Sequence, residues 1–282
     1  MTRRAVESAR HWRDRDVGFD LLSATYVHHR FDLHTHETYV LGVVVGGAAR
    51  FAWRGATYLS PRGTVMLIEP EVPHTGGAAI DEGWTYRILY PPHELVRAVA
   101  RQVTGRDGYE PSFAAPVIED PRLARALVRA YGAVEDDASA FEKESLLVEA
   151  LGLLVARHSR AEGTRRAPDG SARGRAHLAR AIRSHIDARA SSRVSLAELA
   201  EAAGVSPFHL GRVFKEHFGL PPHAYLKQVR IRRAKELLAR GVSPAEVAID
   251  VGFFDQAHMS RHFRRTVGVA PGRFAKERAP CQ

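Results

Sequence analysis

The strongest constraint on this chain is a segment that occurs twice. Ser195-Leu-Ala-Glu-Leu-Ala-Glu-Ala-Ala-Gly204 returns as Ser243-Pro-Ala-Glu-Val-Ala-Ile-Asp-Val-Gly252 at an offset of 48. After one inserted residue the offset becomes 49. Leu210 then matches Met259, Arg212 matches Arg261, Phe214 matches Phe263 and Lys215 matches Arg264, and the order continues through Gly219/Gly268, Pro222/Pro271 and Tyr225/Phe274. Each copy opens on a serine suited to cap a helix, with Glu198 or Glu246 three residues on to complete a capping box. Leu196, Leu199, Ala200 and Ala203 share one helical face in the first copy, as do Val247, Ala248 and Val251 in the second. Gly204 and Gly252 supply the positive φ that ends such a helix in a tight turn. A second helix is expected from Ser206-Pro207 and from near Asp255. Helix, glycine turn, helix is the helix-turn-helix pattern. A helix of about 17 residues, Pro222 to Ala239, joins the copies.

The charge distribution separates this region from the rest. Residues 1–160 hold 19 Lys+Arg against 21 Asp+Glu, whereas residues 161–282 hold 22 against 11, so all of the formal charge of +9 belongs to the C-terminal part. A basic module beside a slightly acidic one points to a polyanion reader attached to something else. The only cysteine, Cys281, excludes a disulfide framework and a cysteine-ligated zinc site. No apolar run approaches the ~20 residues of a membrane span and the first residues lack the core of a signal peptide, so the expectation is a cytoplasmic protein with no membrane partner.

The N-terminal part reads as β. Tyr39-Val-Leu-Gly-Val-Val-Val, Ala49-Arg-Phe-Ala-Trp, Thr64-Val-Met-Leu-Ile and Trp84-Thr-Tyr-Arg-Ile-Leu-Tyr are separated by Gly46-Gly47, Pro61-Arg-Gly63 and Pro70–Pro73. Short strands at this spacing imply a small barrel or double-sheet jelly roll. From about Pro121 the period becomes helical, with Leu123, Leu127, Ala130 and Val134 on one stripe and Leu147, Ala150 and Leu154 on another. These two helices read as a hairpin that either covers the barrel or leaves an apolar face for a homodimer contact. The boundaries implied are 1–120 for the β domain, 121–159 for the hairpin, 160–176 for a Gly-, Pro- and Ser-bearing linker, and 177–277 for the all-α tandem domain.

Residues 177–277 resemble the tandem helix-turn-helix domain of the AraC/XylS family of bacterial transcription regulators. The most diagnostic stretch is Gly252-Phe-Phe-Asp-Gln-Ala-His-Met-Ser-Arg-His-Phe-Arg-Arg with Gly268-Val-Ala-Pro-Gly-Arg-Phe. His34-Thr-His36, the Gly46-Gly47 pair and Pro70-Glu-Val-Pro-His74 resemble the cupin-like effector domain commonly joined to it. The resemblance implies a two-domain chain, an all-β cupin-like barrel with a helical hairpin followed by an all-α domain. It implies a transcription regulator, usually an activator, that binds double-stranded DNA, a small-molecule effector and RNA polymerase. It also implies two recognition helices in successive major grooves. A connecting helix of about 17 residues spans roughly 25 Å, which with the width of the flanking modules is compatible with the ~34 Å between adjacent turns of the groove.

On the expected recognition helices, Phe208, His209, Gly211 and Arg212 face outward in the first copy, and Gln256, His258, Ser260 and Arg261 in the second. Arginine suits a guanine and glutamine an adenine, each through two hydrogen bonds. Lys215, Arg264 and Arg265 are candidates for phosphate, which positions without specifying. In the barrel, His34, His36, Tyr39, His74 and Trp84 are the effector-binding candidates, with Trp53 and Tyr86 as further aromatic walls. Three histidines also raise the alternative of a metal-dependent cupin enzyme fused to a DNA-binding domain. The sequence argues against it, because Val40 and Leu41 stand where the usual ligand glutamate would fall, and a facial triad needs a carboxylate. No metal, no cofactor and no catalytic residue are therefore expected. A methyl-accepting cysteine cluster, as in Ada-like repair proteins, is also excluded by the single thiol.

Overall fold

The computed structural model describes residues 6–161, 170–192 and 195–278. They divide into two compact units, one built from residues 1–30 and 35–164, the other from residues 165–282 together with Phe31–His34. Cys281 lies outside the described residues.

The N-terminal part runs β1 (Ser8–Arg13), β2 (Asp20–Tyr26), β3 (Arg30–His34), β4 (Val40–Trp53), β5 (Ala56–Pro61), β6 (Val65–Ile68), β7 (His74–Ala78), β8 (Trp84–Tyr90), α1 (His93–Thr104), β9 (Pro111–Phe113), β10 (Val117–Ile118), α2 (Pro121–Glu135), α3 (Ala140–His158) and β11 (Ser159–Ala161). The main sheet has the order β1-β2-β8-β4-β6-β10. Its long strand β4 serves two partner sets. Val40–Val43 pair with β6 and Leu41–Val44 with β8, and then the register shifts between Val44 and Gly46. Beyond that bulge Ala48–Trp53 pair with β5 and β7. A bulge bends its strand and increases the local twist, and here it lets one strand turn the corner between the two layers.

Alternation sorts the side chains. Trp12, Leu21, Tyr39, Leu41, Val43, Val65, Leu67 and Leu89 form one apolar core with Val96 and Val99 of α1, Leu123, Leu127 and Tyr131 of α2, and Leu147, Leu151 and Leu154 of α3. The helix stripes expected from the sequence are thus the faces that cover this side of the sheet. Asp120 caps α2 from its side chain, accepting from the Arg122 and Leu123 amides at 3.0 and 3.3 Å, and also accepts from Arg157 Nε at 2.6 Å and His158 Nε2 at 2.8 Å. Burial alone would raise its pKa; those donors outweigh it and hold the carboxyl well below the usual range. Lys143, only 1% exposed, donates from Nζ to Asp14 at 3.0 Å, Asp16 at 2.7 Å and Asp137 at 2.9 Å.

The C-terminal part is helical: α4 (Gly170–Arg189), α5 (Leu196–Ala202), α6 (Pro207–Phe218), α7 (Pro222–Ala239), α8 (Pro244–Asp250), α9 (Gln256–Val267) and α10 (Pro271–Lys276). Ile182, Ile186, Leu199, Leu210, Phe214, Tyr225 and Val229 join α4 to the first helix-turn-helix. The expected linker 160–176 needs correction at both ends. Ser159–Ala161 pair with β9, and α4 already begins at Gly170. Ala172, Arg173, Arg175 and Ala176 are adequate helix formers, and Gly and Ser in that stretch do not override them. Residues 162–169 of that expected linker lie outside the described residues.

Candidate functional site

The two copies are built by the same local chemistry. Ser195 accepts from the Ala197 and Glu198 amides at the start of α5, and at the start of α8 Ser243 and Glu246 form the full reciprocal box. Gly204 and Gly252 follow with φ of 64° and 87°. Ser206 caps α6 by accepting from the His209 amide, and Asp255 caps α9 by accepting from the His258 amide at 2.6 Å. Leu210, Val213 and Phe214 bury the inner face of α6, as Met259, Phe263 and Val267 bury that of α9. Between the copies α7 has 18 residues, a length of about 27 Å.

At 100° per residue, Arg261 and Arg265 stand opposite the buried stripe of Met259, Phe263 and Val267, with Arg264 to one side. Gln256, Arg261, Arg264 and Arg265 are exposed and Ser260 is half-buried. His258 departs from the expected arc. It lies on the flank of the helix, its Nε2 3.1 Å from that of His262 and its ring edge-on to Phe253 at 5.4 Å. Burial and the neighbouring Lys227 lower the pKa of His262, which favours the neutral form of that ring beside the turn. On α6 Arg212 and Lys215 are exposed and His209 is half-buried, with Arg212 Nε 3.7 Å from Glu216 Oε1. Gly211 is half-buried and lines an apolar cavity with Leu196 and Leu199, a position that the sequence reading gave to the groove. The Phe208 side chain lies outside what the structure describes.

The second candidate site is the face of the sheet turned away from the helices. Alternation places Tyr86, Ile88 and Tyr90 there, opposite Leu89. His74 sits in register with Trp53 across β7 and β4, so the two side chains share that face. His36 lies 5.1 Å from the His74 ring and 5.4 Å from Tyr90, and Tyr90 lies 5.7 Å from His11. Trp84 stacks on Tyr86 at 5.9 Å and meets Tyr26 at 5.3 Å. The Trp53 indole N–H is buried with no hydrogen-bond partner, a donor turned into the interior. Burial raises the pKa of Tyr86 and Tyr90, which keeps both phenols neutral.

Tyr39 is a correction: it belongs to the other face, packed among Leu41, Val43 and the helices and stacked on His93 at 6.1 Å. Arg54 and Arg87 are likewise turned away. Arg54 covers the outer surface of Trp53 and pairs with Glu69 at 2.7 Å, and Arg87 lies over the Tyr131 ring at 5.5 Å. His11, Tyr26 and Tyr90 were missed in the sequence because each needs the strand register before its side can be assigned.

Among the described residues, two clusters have a metal-ligand composition. His34, His36 and His74 each bring one ring nitrogen within 4.8 Å of the others. Nδ1 of His34 donates to the Asp32 carbonyl at 2.7 Å and Nδ1 of His74 to the Val72 carbonyl at 3.0 Å, which leaves each Nε2 as the acceptor. Asp14, Asp16 and Asp137 also converge, but the Lys143 ammonium already stands among them and donates to all three.

The model of the AraC-like ligand binding domain matches residues 16–151, and a helix-turn-helix domain model matches residues 199–277. The chain belongs to the AraC family. Among its curated relatives, this AraC-family regulator is 27% identical over 230 residues to the uncharacterised HTH-type transcriptional regulator YbfI of Bacillus subtilis, covering 82% of each chain. It is 37% identical over 81 residues to the HTH-type transcriptional regulator MtrA of Neisseria gonorrhoeae and 39% identical over 83 residues to the regulatory protein Ada of Salmonella typhimurium. These two matches cover 28% and 29% of this chain and 27% and 24% of the relatives' lengths. A solved structure of apo ToxT from Vibrio cholerae, 14% identical, superposes with a TM-score of 0.54 over 96% of this chain and 97% of that one, which shows the shared two-domain fold. A family of transcription regulators, together with these relatives, lends the metal-enzyme alternative no support.

Proposed function

We propose that this regulator reads a specific DNA sequence with α6 and α9 and that a small molecule held in the barrel controls it, with activation as the outcome. The observation that carries the reading is the repeated geometry: two helices with matched caps, turns and buried faces, flanking an 18-residue helix whose length, with the width of the flanking modules, is compatible with the groove spacing. Gln256 and Arg261 are the principal base readers, aided by Ser260, with Arg212 and His209 as the first-copy readers. Lys215, Arg264 and Arg265 meet phosphate. Gly211 and His258 carry no base contact in this reading.

The effector site is the interior formed by His36, His74, Trp53, Trp84 and Tyr90. Uncharged donors and acceptors among aromatic walls suit a small molecule with a polar edge and an apolar face. Effector binding acts by linkage, favouring whichever arrangement of the chain engages DNA productively. Residues 1–120, 121–159 and 177–277 serve as effector, hairpin and DNA-binding segments. Val128, Phe141 and Val148 are exposed apolar side chains on the α2–α3 hairpin, which supports a homodimer contact there. RNA polymerase is the partner that activation requires. The regulator works in the cytoplasm.

The test is in vitro selection from random duplex DNA with the full-length protein and with Arg261→Ala. The reading expects the native chain to enrich a defined motif. It expects the variant to lose preference at one position of that motif, at a cost of about 1–3 kcal/mol in discrimination, while keeping salt-sensitive binding. An unchanged motif in the variant refutes the role given to Arg261.

A further inference from the structure

The helix α6 borders a cavity separate from the barrel interior. Its volume is about 440 Å³, within the range of pockets that hold small organic ligands. The walls are apolar, with Ile186 from α4, Leu199 from α5 and Leu226 from α7. On α6 the positions one turn apart, Pro207, Gly211 and Lys215, present to it, with Arg212 alongside.

Two features set its chemistry. The first is Gly211, where an added Cβ would meet nothing within 4 Å; the missing side chain is part of the cavity's space. The second is charge. The ionisable side chains on the lining are Arg212, Lys215 and His223, and Glu216 holds Arg212 only loosely at 3.7 Å, with both side chains more than half exposed. An apolar chamber with basic groups at its mouth is complementary to a compact organic acid, whose hydrocarbon body displaces water from Leu199 and Leu226 while its anion meets Lys215 and Arg212.

We propose that this cavity is a second ligand site, separate from the barrel, for a small carboxylic acid with an aromatic or short aliphatic body. Resting on the DNA-binding role given above to Arg212 and Lys215, occupancy also opposes DNA binding by the first copy, because acid and DNA draw on the same cations. By linkage each ligand then weakens the other to the same degree.

The experiment is calorimetric titration of the full-length protein with phenylbutanoate, and with phenylbutylamine as the cationic counterpart. A ligand of this size is expected to bind with a Kd on the order of 0.1–1 mM. Gly211→Leu fills the chamber and is expected to weaken binding at least tenfold while raising the thermal midpoint of the helical signal, since leucine is the better helix former and the space is apolar. Lys215→Gln is expected to weaken it several-fold, and serves as the second variant should Gly211→Leu fail to fold. Binding that survives Gly211→Leu or Lys215→Gln unchanged overturns the proposal, as does equal binding of the amine or no binding of the acid. In a second arm the acid is titrated into the complex with the selected duplex, where its affinity is expected to fall. If selection enriches no motif yet acid binding keeps its dependence on Gly211 and Lys215, the DNA reading falls and the ligand site stands.

Discussion

The equivalent glycines of the two copies make the most discriminating prediction about stability, because one sits in open space and the other does not. Gly204 has φ of 64°, and a Cβ there would meet nothing within 4 Å. Gly252 has φ of 87°, and its Cβ would stand 2.7 Å from the Ser191 carbonyl oxygen and 3.1 Å from the Arg230 guanidinium. That guanidinium joins the end of α4 to α7, donating to the Ala190 carbonyl at 2.8 Å and to the Ser192 carbonyl at 2.9 Å. Alanine at either position takes on the left-handed strain of about 1–2 kcal/mol, offset in part by about 0.4–1 kcal/mol from the stiffer unfolded chain. Gly204→Ala should therefore cost about 1 kcal/mol. Gly252→Ala must in addition displace a backbone carbonyl and loosen two charge-assisted hydrogen bonds, each worth about 1.5 kcal/mol or more, for a total of about 2–4 kcal/mol. Trp12, Trp53 and Trp84 are the protein's three tryptophans and all lie in the N-terminal part. Urea unfolding followed at once by far-ultraviolet dichroism and by tryptophan emission thus separates the helical domain from the barrel. The expected result is a dichroism midpoint lowered much more by Gly252→Ala than by Gly204→Ala. Equal costs in the two variants would refute the claim that the second turn is clamped against α4.

Lys143→Met removes the cation shared by three carboxylates; Asp16 and Asp137 are open to water, so the cost is set mainly by Asp14, at about 2–3 kcal/mol in the tryptophan-detected transition. For Asp120 the folded-state pKa is depressed, so its stabilisation is present above the unfolded carboxyl pKa of about 3.9 and is lost as pH falls through the folded value. Asp120→Asn should lower barrel stability by about 1–2 kcal/mol at pH 7 and flatten its decline below pH 4, as measured by urea midpoints across that range.

Periodicity and capping made the helical domain legible. Ser195, Ser206, Ser243 and Asp255 each name a helix start by their own chemistry, and α7 runs over Pro222–Ala239 as the spacing predicts. The stripes of α2 and α3 were legible for the same reason. What failed were assignments that depend on register or on a neighbouring side chain. Tyr39 and Trp84 belong to similar apolar runs, yet alternation sends one to the helices and the other to the interior. His258 lies at a position that a helical wheel calls outward, but Phe253 and His262 draw its ring to the flank. Gly211 sits on the outer arc of α6, and only the placement of Leu196 and Leu199 reveals the cavity behind it. The start of α4 was hidden because glycine and serine in a charged stretch look like linker, although Ala172, Arg173, Arg175 and Ala176 favour a helix.

Two linked recognition helices on one face of DNA are the centre of this account, and hydroxyl-radical footprinting on a selected duplex tests it most directly. At two salt concentrations the account predicts two protected patches about 10–10.5 base pairs apart on the same face, both weakening steeply as salt rises. It also predicts that Arg261→Ala loses the patch belonging to the second copy. Protection confined to one turn, or two patches on opposite faces, would contradict it.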